Sequence, residues 1–237
     1  MSSAKRRFWM EASVVPQEKG DYAVALDGRL IKLPGGHLLV VAARALADAI
    51  AEEWRAIPPD SLFDASALPL TRMTGTMIER VAPDLDAARG TLLNFGLSDL
   101  LLFREETLRD IQSVLFDPPV DAFSERYGVR PRVTFSIVPG TVETPVKATM
   151  SRILAGMDAA ALASLGVLVP ALGSLILGIG LLEGWVTETA ACDAAFLDER
   201  TQMRRWGEDT ELLDDLASRA ADVETGLKFW QLSLRKD

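Results

Sequence analysis

The chain is poor in the residues that build metal centres, disulfides and acid–base catalysts. Its 237 residues include one cysteine, Cys192, and one histidine, His37. A lone cysteine cannot close an internal disulfide, and zinc or iron sites usually need several cysteine or histidine ligands. A hydrolase triad at Ser174 would need a base nearby, yet Ser174 lies in an apolar stretch. We therefore expect no metal, no cofactor and no catalytic thiol.

The sequence also lacks the signals of phosphate and nucleic-acid binding. Gly35-Gly36-His37 has neither the glycine spacing nor the lysine of a phosphate-binding loop, and it is typical of a turn. The net charge is −9 and the pI is about 4.8. The basic residues are dispersed apart from Lys5, Arg6 and Arg7, which disfavours a nucleic-acid surface. We expect neither a nucleic-acid partner nor a small-molecule substrate.

An apolar signal segment is not recognisable at the N-terminus. The basic residues are followed by Phe8, Trp9 and Met10, and the acidic Glu11 comes at once after them. Signal peptides need a longer apolar stretch, and transit peptides are rich in arginine and serine. We expect a cytoplasmic bacterial protein without a signal or transit peptide.

One long uncharged run, residues 159–182, has the length of a membrane span. Pro170 interrupts it near the middle, several glycines lie within it, and no basic cluster flanks it. These features favour two buried helices over one membrane helix. We expect Asp158 to cap the first helix, Pro170 to open or kink the second, and Gly184 to end it. Membrane association through this run is the alternative.

The first 66 residues favour a small sheet with one helix. Strand-like segments are separated by turn residues, among them Asp27-Gly28, a sequence typical of a two-residue hairpin. Leu46, Ile50 and Trp54 recur at helical spacing and predict a helix over residues 43–57. The predicted strands are 9–15, 22–26, 30–33 and 38–41.

Beyond residue 66 the apolar periodicity is helical, with one expected strand over residues 132–138. The fold class is therefore predicted as α+β, with a small sheet-and-helix domain over 1–66 and a larger α-helical bundle over 67–237. Besides the two apolar helices, the predicted helices are 70–81, 84–95, 107–127 with an interruption at Pro118-Pro119, 147–154, 187–206 and 211–234.

An acidic segment follows residue 196 and interrupts an apolar pattern. Read as one helix, Glu199 falls inside a stripe with Gln202 beside it. The stripe consists of Cys192, Ala195, Phe196, Met203 and Trp206. A carboxylate in such a place needs a partner, which is either an internal cation or a group on another molecule. A carboxylate-dependent hydrolase that uses Asp198 and Glu199 is a further alternative.

Internal cations for this carboxylate are available in two apolar contexts. Arg104 and Asp99 bracket the apolar residues 100–103, and Arg72 lies in a helix-like segment. Either arginine could neutralise Glu199 or Asp198 and so make the acidic segment structural. The sequence does not choose between them.

Seven blocks in constant order carry a family resemblance over residues 8–211. They include VALDGRLIKLPGG, LADAIAEEW, LPLTRMTGTMIERV, SDLLLFR, FDPPVDAFSERYGV, GSLILGIGLLEG and LDERTQMRRWGED. In this order and spacing the chain resembles the assembly chaperones that attend the alpha subunit of the F-type ATP synthase catalytic head.

The resemblance implies a non-enzymatic chaperone that binds the free alpha subunit, shields the surface that faces the beta subunit, and is a monomer when free. It also implies a mixed N-terminal sheet unit followed by a helical bundle. The tryptophan of the family's EEW block falls on Trp54. The family's acidic motif begins at Leu197 and continues with Asp198, Glu199, Gln202, Trp206 and Gly207. The expected partner-binding residues are those from Asp198 onward, together with the following Glu208 and Asp209. Trp54, Arg72, Asp99 and Arg104 are further structural or functional candidates.

Overall fold

A computed structural model describes residues 5–18, 20–135, 142–207 and 209–234. The strands are β1 (Lys5–Arg6), β2 (Ala12–Pro16), β3 (Tyr22–Leu26), β4 (Arg29–Leu30), β5 (Val40–Val41) and β6 (Leu62–Phe63). The helices are α1 (Arg44–Ala56), α2 (Pro69–Thr76), α3 (Leu85–Leu97), α4 (Arg109–Tyr127), α5 (Thr144–Ala155), α6 (Ala159–Leu172), α7 (Leu175–Glu183), α8 (Glu188–Ala195), α9 (Leu197–Trp206) and α10 (Thr210–Leu234). The α+β fold class is confirmed.

Two compact units make up the chain. One unit runs through Asp84 and takes in the chain from Lys228 onward, and the other spans Leu85–Leu227. Secondary structure changes from strand to helix at α2, close to the change of periodicity in the sequence. The division into domains over residues 1–66 and 67–237 stays a prediction.

Antiparallel pairing organises the N-terminal unit. Strand β3 pairs with β2 along its whole length, and its other edge pairs with β4 and β5. The β3–β4 hairpin turns at Asp27 and Gly28, whose φ angles of 47° and 75° are those of the predicted turn type. Strands β1 and β6 form a separate two-stranded ribbon. Helix α1 packs on β2 and β3 with its apolar face.

Helix α4 is continuous through Pro118 and Pro119, so the predicted interruption is wrong. Each proline removes one backbone hydrogen bond from the helix. Pro118 is exposed and Pro119 is buried beside Phe116, Val120 and Phe123, which are also fully buried. Burial of this apolar face offsets the lost hydrogen bonds.

The uncharged run forms α6 and α7, as predicted. Asp158 caps α6 because its Oδ1 accepts a hydrogen bond from the Ala161 amide at 2.9 Å. Gly184, with φ at 77°, ends α7. Among the helices of the described ranges, none has the length and apolar character needed to cross a membrane.

Pro170 does not begin or kink α7, contrary to the prediction. It lies within the last turn of α6, where it removes one backbone hydrogen bond to the preceding turn but does not end the helix. Gly173 ends α6 in the left-handed conformation, with φ at 66°. Ser174 then starts α7 by accepting a hydrogen bond from the Leu177 amide at 3.0 Å. A glycine stop followed by a serine cap makes the break without the proline.

The helix expected over residues 187–206 is divided at Phe196, which separates α8 from α9. Phe196 is 2% exposed, whereas Trp206 is 78% exposed. Cys192 is half-buried rather than buried, and burial raises the pKa of its thiol. The prediction of a single apolar stripe is therefore wrong, because Phe196, with φ at −105° and ψ at 13°, leaves the helical conformation and breaks the register.

The strand expected over 132–138 is reduced to one parallel bridge between Thr134 and Phe103 within the described residues. Residues 136–138 lie outside them.

Candidate functional site

Helix α9 carries the acidic segment, and its first residues fix it to the core. Phe196 and Leu197 are buried at the junction with α8. The ring of Phe196 has the guanidinium of Arg219, from α10, at 4.7 Å from its centre. Cation–π contact and apolar burial together hold the start of α9 in place. The next residues, Asp198 and Glu199, therefore have fixed positions.

Arg219 is the internal partner of Glu199. Its Nη1 donates to Glu199 Oε1 at 2.7 Å, and its Nε donates to the Ala171 carbonyl at 2.9 Å. Asp215, one turn before Arg219 on α10, is 3.7 Å away. Both side chains of the Arg219–Glu199 pair are about a quarter exposed. Arg219 thus joins α9, α10 and the end of α6.

Arg104 and Arg72 were the expected partners, and the structure places Arg219 there instead. Arg104 is buried, and its Nη1 donates to Asp117 at 2.7 Å while its Nε donates to the Leu101 carbonyl. The prediction that Arg104 or Arg72 neutralises Glu199 is therefore wrong. Arg104 forms its ion pair with Asp117, which lies on α4. No local sequence pattern predicts that α4 brings Asp117 beside Arg104.

Asp198 faces α4. Its Oδ1 accepts a hydrogen bond from Gln112 Nε2 at 3.4 Å, and Gln112 in turn accepts one from the Glu105 amide at 2.9 Å. Gln112 is fully buried. Burial raises the pKa of Asp198, and the nearby charge of Glu199 acts in the same direction. The carboxyl is therefore half-buried and held by a neutral donor, without an arginine.

Two exposed side chains follow the half-buried Asp198 along α9. Gln202 and Trp206 follow it at four-residue intervals, so the three side chains lie on one side of the helix. Gln202 is exposed, and Trp206 is 78% exposed. A tryptophan that the fold leaves in solvent beside polar groups is typical of interface anchors. We call Asp198, Gln202 and Trp206 the α9 row.

The residues after Trp206 begin a new element. Gly207, with φ at 98°, ends α9, and its amide donates to the Met203 carbonyl. Asp209 caps α10, because its Oδ1 accepts hydrogen bonds from the Glu211 and Leu212 amides. Glu208 lies outside the described residues. Gly207 and Asp209 therefore have a local structural role, whatever they contact in a partner.

Asp99 is fully buried and organises the start of α7. Its two oxygens accept hydrogen bonds from the Leu101 amide at 3.1 Å and the Ile176 amide at 3.0 Å. Burial raises the pKa of this carboxyl to about 6, although the hydrogen bonds oppose the shift. Its surroundings are those of a helix-capping residue.

Trp54 and Arg72 belong to the N-terminal unit. The indole of Trp54 lies edge-on to Trp9, with ring centres 4.9 Å apart, and its Nε1 donates to Thr71 Oγ1 at 3.1 Å. Arg72, the next residue after Thr71, is exposed. Trp54 is half-buried against the core cluster formed by Trp9, Ala12, Leu26, Ile57 and Leu68.

Sequence reasoning missed Arg219 and Gln112, the two side chains that hold the acidic segment. They lie 20 and 86 residues from their partners. A weak signal existed for Arg219, because an arginine on the helix after the acidic segment can return to it. The part of the chain that the structure describes contains no group of three or more His, Cys, Asp or Glu side chains fit to hold a metal.

The chain is similar to known proteins over most of its length. Residues 6–124 match the family model of the ATP12 chaperone protein. The mitochondrial protein Atp12 of Schizosaccharomyces pombe is 26% identical over 226 residues, which cover 89% of this chain and 77% of that protein. The crystal structure of Atp12 from Paracoccus denitrificans is 35% identical, with a TM-score of 0.89, and the match covers 96% of this chain and 98% of that one. A candidate chaperone from Agrobacterium tumefaciens is 30% identical, with a TM-score of 0.91, over 98% of this chain and 87% of that structure.

Proposed function

This chain belongs to the ATP12 family of ATP synthase assembly chaperones, and we propose that it binds the free alpha subunit of the catalytic head. In this proposal it shields the surface that later faces the beta subunit and yields it when the alternating ring forms. The role is non-enzymatic and needs no cofactor. We propose a cytoplasmic location in a bacterium, because the two similar solved structures come from bacteria, whereas the Schizosaccharomyces pombe relative is mitochondrial.

The α9 row, in which Gln202 and Trp206 are exposed and Asp198 is half-buried, carries the proposal at the level of residues. Trp206 offers a large aromatic surface, and Asp198 and Gln202 offer polar groups beside it. Tryptophan is the residue type most enriched among the few interface side chains that dominate binding. An interface anchored by one aromatic group and polar contacts remains releasable, as a chaperone requires.

Glu199 lies next to Asp198 on α9 but does not belong to the α9 row. Its carboxylate is held by Arg219, so its contribution to partner binding is to fix the direction of α9. Among the described residues, Asp198 accepts a side-chain hydrogen bond only from the neutral amide of Gln112, to Oδ1, and its Oδ2 is available to a donor of the partner. We therefore assign direct contact to Asp198, Gln202 and Trp206, and a positioning role to Glu199.

The test is co-purification of the chain with separately expressed alpha and beta subunits. We expect retention of alpha and not of beta, and about a tenfold weaker hold on alpha by Trp206→Ala. Val114→Ala is the matched control, because Val114 is 72% exposed and lies on α4. Both variants should keep the free energy of unfolding within about 0.5 kcal/mol. Equal retention of alpha and beta would contradict the proposal.

A further inference from the structure

The N-terminal unit contains a groove of about 440 Å³ that the α9 row does not use. Its floor is apolar and includes the half-buried side chains of Ile31, Trp54 and Phe63 and the buried Leu68. All lining residues belong to the segment from Lys5 to Arg80. We call this feature the N-terminal groove.

The floor of the groove is held rigidly. Trp9 lies edge-on to both Trp54 and Phe63, with ring centres 4.9 Å and 5.5 Å apart. The carboxylate of Glu53 accepts hydrogen bonds from the Leu70 and Thr71 amides at 2.6 Å and 3.0 Å, which fixes the start of α2. A preformed apolar floor loses little conformational entropy when a ligand binds.

Cations surround this apolar floor. Lys5, Lys32, Arg72 and Arg80 line the groove. In the described part of the N-terminal unit, the ion pairs join His37 to Glu79, Arg44 to Asp48 and Arg55 to Glu52, and none uses a cation of the groove.

The two carboxylates of the groove are already engaged. Glu79 accepts a hydrogen bond from the Gly35 amide at 2.7 Å and lies 3.4 Å from His37. Asp64 accepts hydrogen bonds from the amide and hydroxyl of Ser66, which lower the pKa of the Asp64 carboxyl, with a smaller effect from the charge of Arg72. Among the described residues no cation of the groove forms an ion pair, although the charge of Arg72 acts on Asp64. Four cations therefore line a groove with an apolar floor, in a chain of net charge −9.

We propose that the N-terminal groove receives a segment of the alpha subunit in which apolar side chains alternate with aspartate or glutamate. This inference rests on the proposed function and adds a second, separate contact surface. Apolar side chains would cover Trp54 and Phe63, while carboxylates would pair with Arg72, Arg80 and Lys32. The acidic remainder of the chain repels such a segment, so its charge directs the segment to the groove.

Charge reversal in the groove tests the inference. A variant with Arg72→Glu and Arg80→Glu should bind purified alpha subunit at least about tenfold more weakly than the unaltered chain. The control carries Arg29→Glu and Arg44→Glu, which change the net charge equally at exposed positions of the same unit outside the groove. Arg44→Glu also removes the exposed ion pair with Asp48, and the unfolding measurement shows the effect of that loss. The control should bind alpha within about twofold of the unaltered chain, and urea unfolding should show both variants folded.

The outcomes separate this inference from the proposed function. If the groove variant and the control weaken binding of the alpha subunit equally, the groove is not a contact surface. The same conclusion follows if neither variant weakens that binding. Failure of the unaltered chain to bind alpha overturns the proposed function, and with it the occupant named here. Loss of alpha binding by the groove variant alone supports the groove.

A crosslink gives a second measurement that does not depend on charge. Thr76 lines the groove and is exposed, so Thr76→Cys in a Cys192→Ser background accepts a thiol-linked photocrosslinker. We expect a crosslinked product between the chain and the alpha subunit. A peptide in which apolar and acidic residues alternate should lower the yield of this product, because it competes for the groove. A product that joins two copies of this chain instead would overturn the assignment of the occupant.

Discussion

Glu199 shows how one contact decides the meaning of an acidic side chain. Its carboxylate is 2.7 Å from Arg219 Nη1, and Arg219 also holds the end of α6 and the ring of Phe196. A charge in an apolar pattern thus has an internal partner.

A double-mutant cycle with Glu199→Gln and Arg219→Gln measures the pair. Because both side chains are about a quarter exposed, we expect a coupling free energy of about 1 kcal/mol in urea unfolding. The proposed positioning role of Glu199 predicts that Glu199→Gln weakens alpha capture no more than Arg219→Gln, because Arg219→Gln also removes the contacts of Arg219 with Ala171 and Phe196. A much larger loss with Glu199→Gln would instead indicate direct contact.

Asp99 should make stability depend on pH. Burial raises the pKa of its carboxyl from 3.8 to about 6 in the folded protein. Between these values the folded protein holds the proton more tightly than the unfolded chain does, so the free energy of unfolding falls as the pH rises. The fall is about 3 kcal/mol, is complete above the folded pKa, and is absent below the unfolded one.

The variant Asp99→Asn removes this titration. The difference in free energy of unfolding between the unaltered chain and the variant should change by about 3 kcal/mol across the window, as measured by urea titration at a series of pH values. The contributions of the other carboxyl groups cancel in this difference in free energy of unfolding, because those groups titrate in both proteins. Parallel stability curves for the two proteins would contradict the expected titration.

At the scale of elements, Gly96 shows why α3 can approach its neighbours. A Cβ at this buried position would lie 2.7 Å from Met150 Sδ of α5 and 2.8 Å from Leu175 Cδ2 of α7. Glycine has a hydrogen atom in place of that methyl group, so α3 can pack closely against α5 and α7. The sequence shows only a glycine in a helical pattern, and the reason for it lies in α5 and α7.

Gly96→Ala should lower the free energy of unfolding by about 1–3 kcal/mol, because the added methyl group forces side chains out of a packed site. Gly90→Ala, on the same helix, is the control. It meets no atom within 4 Å and should raise stability by up to about 1 kcal/mol through helix propensity. Thermal or urea unfolding measures both, and a loss of stability in both variants would point to helix α3 itself.

At the scale of the whole chain, composition bears on self-association. The net charge of −9 opposes contact between copies. The exposed large apolar side chains occur on several elements, among them Phe8, Leu62, Val114 and Trp206. We expect a monomer of 25.8 kDa in sedimentation at physiological salt. A mass that doubles with rising concentration would contradict this.

The sequence by itself determined the features that depend on nearby residues and on the order of motifs. The Asp27-Gly28 hairpin, the Asp158 cap and the Gly184 stop were predictable because turns and caps involve residues within about four positions. The α+β class followed from periodicity, and the order of the blocks carried the family resemblance.

Only the tertiary structure decided which residues meet. Arg219 reaches Glu199, Gln112 reaches Asp198, and the groove joins strand, loop and helix residues from Lys5 to Arg80. Helical periodicity predicted that Trp206 belongs to a buried stripe, but the helix breaks at Phe196 and the side chain of Trp206 is exposed to solvent. Contacts between distant elements depend on helix direction and packing, and these are settled by the burial of the whole core rather than by local sequence.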